Sequence, residues 1–97
     1  MKLSNIQKGY AEFEWVFEDH TYYGYVEIEK FVVKTDFEKD EIVYTSRWVP
    51  YMTPHKYLTY PRNRRVGRLT GYKTRQAALA AAKTFIREEV YNANFSN

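Results

Sequence analysis

The densest run of reactive side chains lies between residues 56 and 75, where Lys56, Arg62, Arg64, Arg65, Arg68, Lys73 and Arg75 are interleaved with Tyr57, Tyr60 and Tyr72. Guanidinium and ammonium groups neutralise phosphates and tyrosine rings stack on unpaired bases, so this segment reads first as a nucleic-acid contact surface. The cluster Arg62-Asn63-Arg64-Arg65 would also grip an acidic protein through forked hydrogen bonds. A third reading folds it back onto the chain's own acidic strands. The background is a sharp charge segregation: residues 1–41 carry five Lys against ten acids, whereas residues 42–87 carry ten Lys or Arg and no acid. The net charge of +3 conceals it.

The acidic half has its own pattern. Glu12 and Glu14 alternate with apolar residues in one segment, and Glu27 and Glu29 do so in the next, beside Tyr23 and Tyr25. If the two segments pair, the four carboxylates and two tyrosines share one exposed sheet face, which makes Glu12, Glu14, Tyr23, Tyr25, Glu27 and Glu29 a candidate protein-binding surface. Four carboxylates on a strand pair are also the raw material of a hard-cation site or a glycosidase acid/base pair. Alternating glutamates are, however, the ordinary pattern of a solvated sheet face.

Other chemistry is sparse. His20 and His55 lie 35 residues apart with no ligand-type neighbours at metal spacing. The chain has no Cys, which removes disulfides, thiolate ligands and thiol nucleophiles together. Val66-Gly67-Arg68-Leu69-Thr70-Gly71 has two glycines near a helix start, but not the strand and Lys-Ser/Thr context of a phosphate loop. The helix start after Gly71, flanked by Lys73 and Arg75, suits an anion because free backbone amides and the helix dipole both favour negative charge there. No catalytic constellation is present, so the expectation is a non-enzymatic binding module with no cofactor and no metal.

The elements that must position these groups follow from periodicity. Residues 10–17 alternate with Ala11, Phe13, Trp15 and Phe17 on one side, and residues 21–33 alternate with Tyr22, Val26, Ile28 and Val32 on the apolar side. A hairpin with Asp19 and His20 as its loop would set Phe17 opposite Tyr22, Trp15 opposite Gly24, Phe13 opposite Val26 and Glu12 opposite Glu27. A third strand over 41–51, paired about Phe37, would set Val26 opposite Trp48, Val32 opposite Ile42 and Glu27 opposite Arg47. Pro50, Pro54 and Pro61 predict a long loop over 52–70 with at most a short edge strand near Tyr57 to Tyr60. After Thr74 as N-cap, Ala78, Leu79, Ala82, Phe85, Ile86 and Val90 recur at helical spacing, predicting a helix over about 75–91.

The fold expected for the 97 residues is therefore one small α+β domain: a three- or four-stranded antiparallel meander with one C-terminal helix packed on one face. No apolar run reaches membrane-spanning length and no signal region opens the chain, so a cytoplasmic protein is expected. Ten Tyr among 97 residues exceed what so small a core can hide and point to a binding face.

The stretch Gly71-Tyr72-Lys73-Thr74-Arg75-Gln76-Ala77-Ala78, continuing as Leu79-Ala80-Ala81-Ala82, resembles the strand-to-helix junction of the three-stranded arm-type DNA-binding domains of tyrosine integrases. That resemblance implies a sheet packed on a C-terminal helix with strand residues reading the major groove. The strands that would face DNA here carry Glu12, Glu14, Glu27 and Glu29, so any nucleic-acid contact falls to the loop and the helix start. Small size, many tyrosines, absence of Cys and charge segregation are also similar to phage or mobile-element accessory proteins. That likeness implies the second function: binding, and inhibiting or modulating, a host protein. A homo-oligomer joining acidic sheet to basic loop is the third.

Overall fold

The structure is a computed structural model that describes residues 1–36, 38–53 and 63–95, with side chains as far as Glu89. Five antiparallel strands in the order β1 (Lys2–Gln7), β2 (Tyr10–Phe17), β3 (His20–Asp36), β4 (Glu41–Thr53) and β5 (Arg64–Arg65) form one sheet, each strand beside its sequence neighbour. The helix α1 (Arg75–Phe95) crosses one face. The α+β class and the C-terminal helix agree with the sequence reading, but the strand number is five rather than three or four.

Both additional strands lack the signal that reveals a strand. β1 reads Lys-Leu-Ser-Asn-Ile-Gln and buries almost nothing, with a register shift between Ser4 and Gln7 where Asn5 takes a φ of 48°. An edge strand of this kind is held by backbone pairing to β2, which leaves no mark in hydrophobic alternation. β5 is two residues long and sits inside the segment expected to be loop over 52–70, while β4 runs on through Pro50 to Thr53. Pro50 is tolerated because its missing donor falls on β4's outer edge, where its carbonyl accepts from the Val66 amide at 3.1 Å. The edge strand expected near Tyr57 to Tyr60 lies outside the described residues.

The hairpin register differs from expectation by two residues. Glu18 and Asp19 form the turn, with φ of 51° and 61°, and Phe17 stands opposite His20. Two consecutive positive φ values make a tight two-residue turn whose twist matches that of the strands. Phe13 therefore faces Gly24, and Glu12 faces Tyr25 while Tyr10 faces Glu27, which removes the expected opposition of Glu12 to Glu27. The shift is even, so every side chain keeps its face. The β3–β4 pairing moves as well: Val26 faces Pro50, Ile28 faces Trp48 and Glu29, not Glu27, faces Arg47, with a bulge at Val33 resetting the register toward the tip. Asp36 ends β3 by accepting the amides of Glu38 and Lys39 at 3.1 and 3.3 Å.

The core lies between α1 and the sheet. Thr74 caps the helix, its hydroxyl accepting the Ala77 amide at 3.1 Å. Ala78, Ala82 and Ile86, one helical turn apart, are buried against a sheet surface that includes Ala11, Phe13 and Val26. The alanines let the helix approach closely, while Leu79, Trp48 and Tyr72 close the margins. Gly24 makes room for the core: a Cβ there would collide with the Phe13 ring and the Tyr51 carbonyl.

Candidate functional site: the tyrosine-lined sheet face

Alternation sends the odd-numbered residues of β2, β3 and β4 to opposite sides according to strand parity, and the side away from the helix collects an unusual set. It receives Tyr10, Glu12 and Glu14 from β2, Tyr23, Tyr25, Glu27, Glu29 and Phe31 from β3, and Arg47, Val49 and Tyr51 from β4. Asn63 and Arg65 join at the β5 margin, Arg65 standing opposite Tyr51. All six residues expected to form a protein-binding face, Glu12, Glu14, Tyr23, Tyr25, Glu27 and Glu29, share this surface, each partly buried.

Three tyrosine rings form a ladder across three strands. Tyr10 and Tyr25 lie 5.6 Å apart between ring centroids, and Tyr25 and Tyr51 stack at 4.8 Å with 14° between planes. Cross-strand aromatic neighbours of this kind stabilise a sheet and set each other's rotamers. The hydroxyls at the two ends are fixed by carboxylates: Tyr10 donates to Glu12 Oε2 at 2.8 Å and Tyr51 donates to Glu29 Oε2. Glu12 also accepts from Asn5 Nδ2 at 3.0 Å, and Asn63 Nδ2 donates to the Tyr25 hydroxyl at 3.3 Å. Burial, reinforced by the neighbouring carboxylate, pushes both the Tyr10 and the Tyr51 phenol well above the usual tyrosine range. The rings are thus neutral donors locked in place.

Glu27 differs from its neighbours. It stands between Tyr10 and Val49 in the sheet, and its carboxylate makes no hydrogen bond or ion pair with any described residue. Partial burial, then the adjacent Glu29 carboxylate, raises its pKa above the ordinary glutamate value. The described cations of this face stand at its margins: Lys2 opposite Glu14, Arg47 opposite Glu29, and Arg65 over the Phe31 ring at 5.3 Å. No group of three or more acidic or His side chains among the described residues could hold a metal ion.

The basic segment is distributed differently. Lys56, Tyr57, Tyr60 and Arg62 lie outside the described residues. Arg64 and Arg65 are consecutive in a strand and so point to opposite faces. Arg64 is on the helix side, its guanidinium 5.0 Å from the Phe85 ring and its Nη1 3.4 Å from Glu89 Oε1. Arg65 is on the tyrosine side and donates to the Leu69 carbonyl. Arg68 lies 5.6 Å over the Tyr72 ring, Lys73 is exposed and Arg75 opens the helix half-buried. The described part of the segment forms no single patch.

Two groups escaped sequence reasoning. Tyr10, Phe31 and Tyr51 belong to the tyrosine face, and their parity within each strand was the available signal. The second is Trp15, stacked on Phe17 at 5.0 Å and bracketed by Lys83 and Arg87, each 5.4 Å from its ring centroid. Lys83 and Arg87 are one helical turn apart, but nothing local links them to Trp15, which reaches them only through the packing of α1 on β2. Among the described residues no helix is long and apolar enough to cross a membrane. No protein-family model, curated protein or solved structure matches the chain.

Proposed function

We propose that this chain is a non-enzymatic binding module that engages another protein through its tyrosine-lined sheet face. The observation that carries the reading is the ladder Tyr10–Tyr25–Tyr51, pre-ordered by its own carboxylates and surrounded by Glu27, Phe31, Arg47 and Arg65. Tyrosine and arginine are, with tryptophan, the side chains enriched at energetically dominant interface positions, and rings already held in one rotamer lose little entropy on binding. Glu27, partly buried with no ion pair to a described cation, marks where a Lys or Arg of the partner would seat; the marginal Lys2, Arg47 and Arg65 would meet acidic groups around it. Inhibition or modulation of a host protein is the biological form this reading takes.

The test is affinity capture with the immobilised wild type beside Glu27→Arg and Tyr25→Ala variants and an Arg64→Ala/Arg68→Ala variant, all verified folded by circular dichroism. A partner retained by the wild type and the arginine variant but lost from both face variants supports the reading. Capture that survives Glu27→Arg and Tyr25→Ala removes it.

A second reading, nucleic-acid binding, is favoured by a separate observation: Trp15 with Lys83 and Arg87 places an aromatic ring beside two cations that no described carboxylate neutralises. It shifts the contact from the loop 56–75 toward the helix face. Titration of fluorescent single- and double-stranded DNA and RNA across a salt series checks it, with the Arg62, Arg64, Arg65, Arg68 quadruple Ala variant and a Lys83→Ala/Arg87→Ala variant alongside. Salt-sensitive binding lost in either variant supports it and says which surface is used; no binding at low salt ends it.

A further inference from the structure

Past Glu27 the β3–β4 hairpin leaves the body of the protein. β2 stops pairing with β3 at Tyr10 opposite Glu27, apart from one further bond in which Ile28 donates to the Gly9 carbonyl at 2.8 Å. On the other side, β5 and the Tyr72 bridge occupy the outer edge of β4 only from Trp48 onward. Residues 30–36 and 41–46 therefore continue as a two-stranded arm whose two backbone edges meet no other described strand. Val32, Val33, Ile42, Val43 and Tyr44 on it are between 47% and 62% exposed. A two-stranded ribbon is marginal in water, and an apolar open edge is a template for pairing.

The two edges of the arm are not equivalent. On β3, Lys30 and Lys34 flank Val32, and a two-fold antiparallel pairing about Val32 would set Lys30 against Lys34 of a second copy. On β4 the run Ile42-Val43-Tyr44-Thr45-Ser46 is uncharged and rich in strand-forming residues, with Glu41 at one end and Arg47 at the other. The backbone direction fits as well. Trp48 exchanges hydrogen bonds with Tyr72 at 2.7 and 2.8 Å, so its amide and carbonyl point away from β3. The bulge lies on β3, so alternation along β4 continues unbroken and gives Ser46, Tyr44 and Ile42 the same outward direction.

We propose that the outer edge of β4 pairs antiparallel with the same edge of a second copy of this chain, about a two-fold axis at Tyr44. In that register Tyr44 faces Tyr44 of the second copy and Ile42 faces its Ser46, so every outward amide meets an outward carbonyl. Glu41 of each copy approaches Arg47 of the other, a charge match repeated at both ends by the symmetry. Two sheets of five strands become one of ten. The pairing covers Ile42, Val43 and Tyr44 and closes the edge that the other described strands leave open.

Light scattering coupled to size exclusion, over a range of concentrations, reads the proposal. The wild type runs at twice the mass of one chain. Tyr44→Pro removes an amide that points outward, so it spares the β3–β4 ladder and yields a monomer with an unchanged circular dichroism spectrum. Glu41→Arg and Arg47→Glu each weaken association about tenfold, and the two together restore it, since the swapped charges match again. Amide exchange of Ile42, Tyr44 and Ser46 slows in the dimer and not in Tyr44→Pro. A wild type that stays monomeric to about millimolar concentration overturns the proposal, as does a dimer that survives Tyr44→Pro or fails to respond to the charge swap.

Discussion

The two faces of the sheet are built from the same strands and do opposite work. On the helix side Ala11, Phe13 and Val26 are almost fully buried against Ala78, Ala82 and Ile86, with no polar group among them. On the other side Tyr10, Tyr25 and Tyr51 lie half-covered, the hydroxyls of Tyr10 and Tyr51 bonded to Glu12 and Glu29 and that of Tyr25 to Asn63. The first face holds the fold by removing apolar surface from water; the second holds side-chain positions by hydrogen bonds and stacking. A face whose tyrosines are ordered without being fully buried is suited to recognition, because their rotamers are chosen before a partner arrives.

The contrast breaks most visibly at the helix. Ile86→Ala empties a site 1% exposed and should lower stability by about 2–5 kcal/mol in denaturant titration. Partner capture at a temperature where the variant remains folded should be unaffected. A variant that kept its stability but lost its partner would invert the roles assigned to the two faces.

Gly24 is where the faces meet, since an added Cβ would strike the Phe13 ring on one side and the Tyr51 carbonyl on the neighbouring strand. Gly24→Ala should cost about 1–3 kcal/mol and displace the tyrosine ladder together with the core. Ring shifts of Tyr25 and Tyr51 in aromatic NMR spectra check the second half; unshifted rings would show that the two faces are mechanically independent.

The third effect is confined to the tyrosine face and depends on pH. The Tyr10 and Tyr51 phenols titrate above their unfolded value of 10.0, so their contribution is complete below that pH and is lost as the pH rises beyond it. Thermal melts from pH 8 to 11 should show stability falling from about pH 10 upward. Tyr10→Phe/Tyr51→Phe should start about 1 kcal/mol lower per lost hydrogen bond and lose most of the alkaline decline. An unchanged decline would place its origin elsewhere.

The smallest effect has the opposite sign. Glu27 titrates above its unfolded value of 4.5, so the fold disfavours its charged form at neutral pH. Glu27→Gln should therefore stabilise the free protein slightly at pH 7, a gain that vanishes as the pH falls below the carboxylate range. The same substitution should weaken partner capture, and a variant that is more stable and binds equally well would remove Glu27 from the site.

Much of this arrangement was legible in the residues. The helix start at Thr74, its Ala78/Ala82/Ile86 stripe, β2, and most of β3 and β4 follow from periodicity, because burial on one face imposes a repeat that composition records. Face assignment was equally legible: a register error of two residues in the β2–β3 hairpin left Glu12, Glu14, Tyr23, Tyr25, Glu27 and Glu29 on the surface that parity had given them. Register itself was not, since Glu18 and Asp19 carry no glycine to announce a two-residue turn with both φ values positive. β1 and β5 were illegible for a different reason, as an exposed edge strand is held by backbone bonds that any side chain permits.

What the sequence by itself determined is the period of each element and hence which side chains share a side. Tertiary structure alone decided which of those sides met: that Tyr10, Tyr25 and Tyr51 stack across three strands, that Lys83 and Arg87 reach Trp15, and that Arg64 meets Phe85 while Arg65 meets Phe31. Those outcomes depend on register and on the path of α1 over the sheet. Both are set by long-range packing, which no local run of residues encodes.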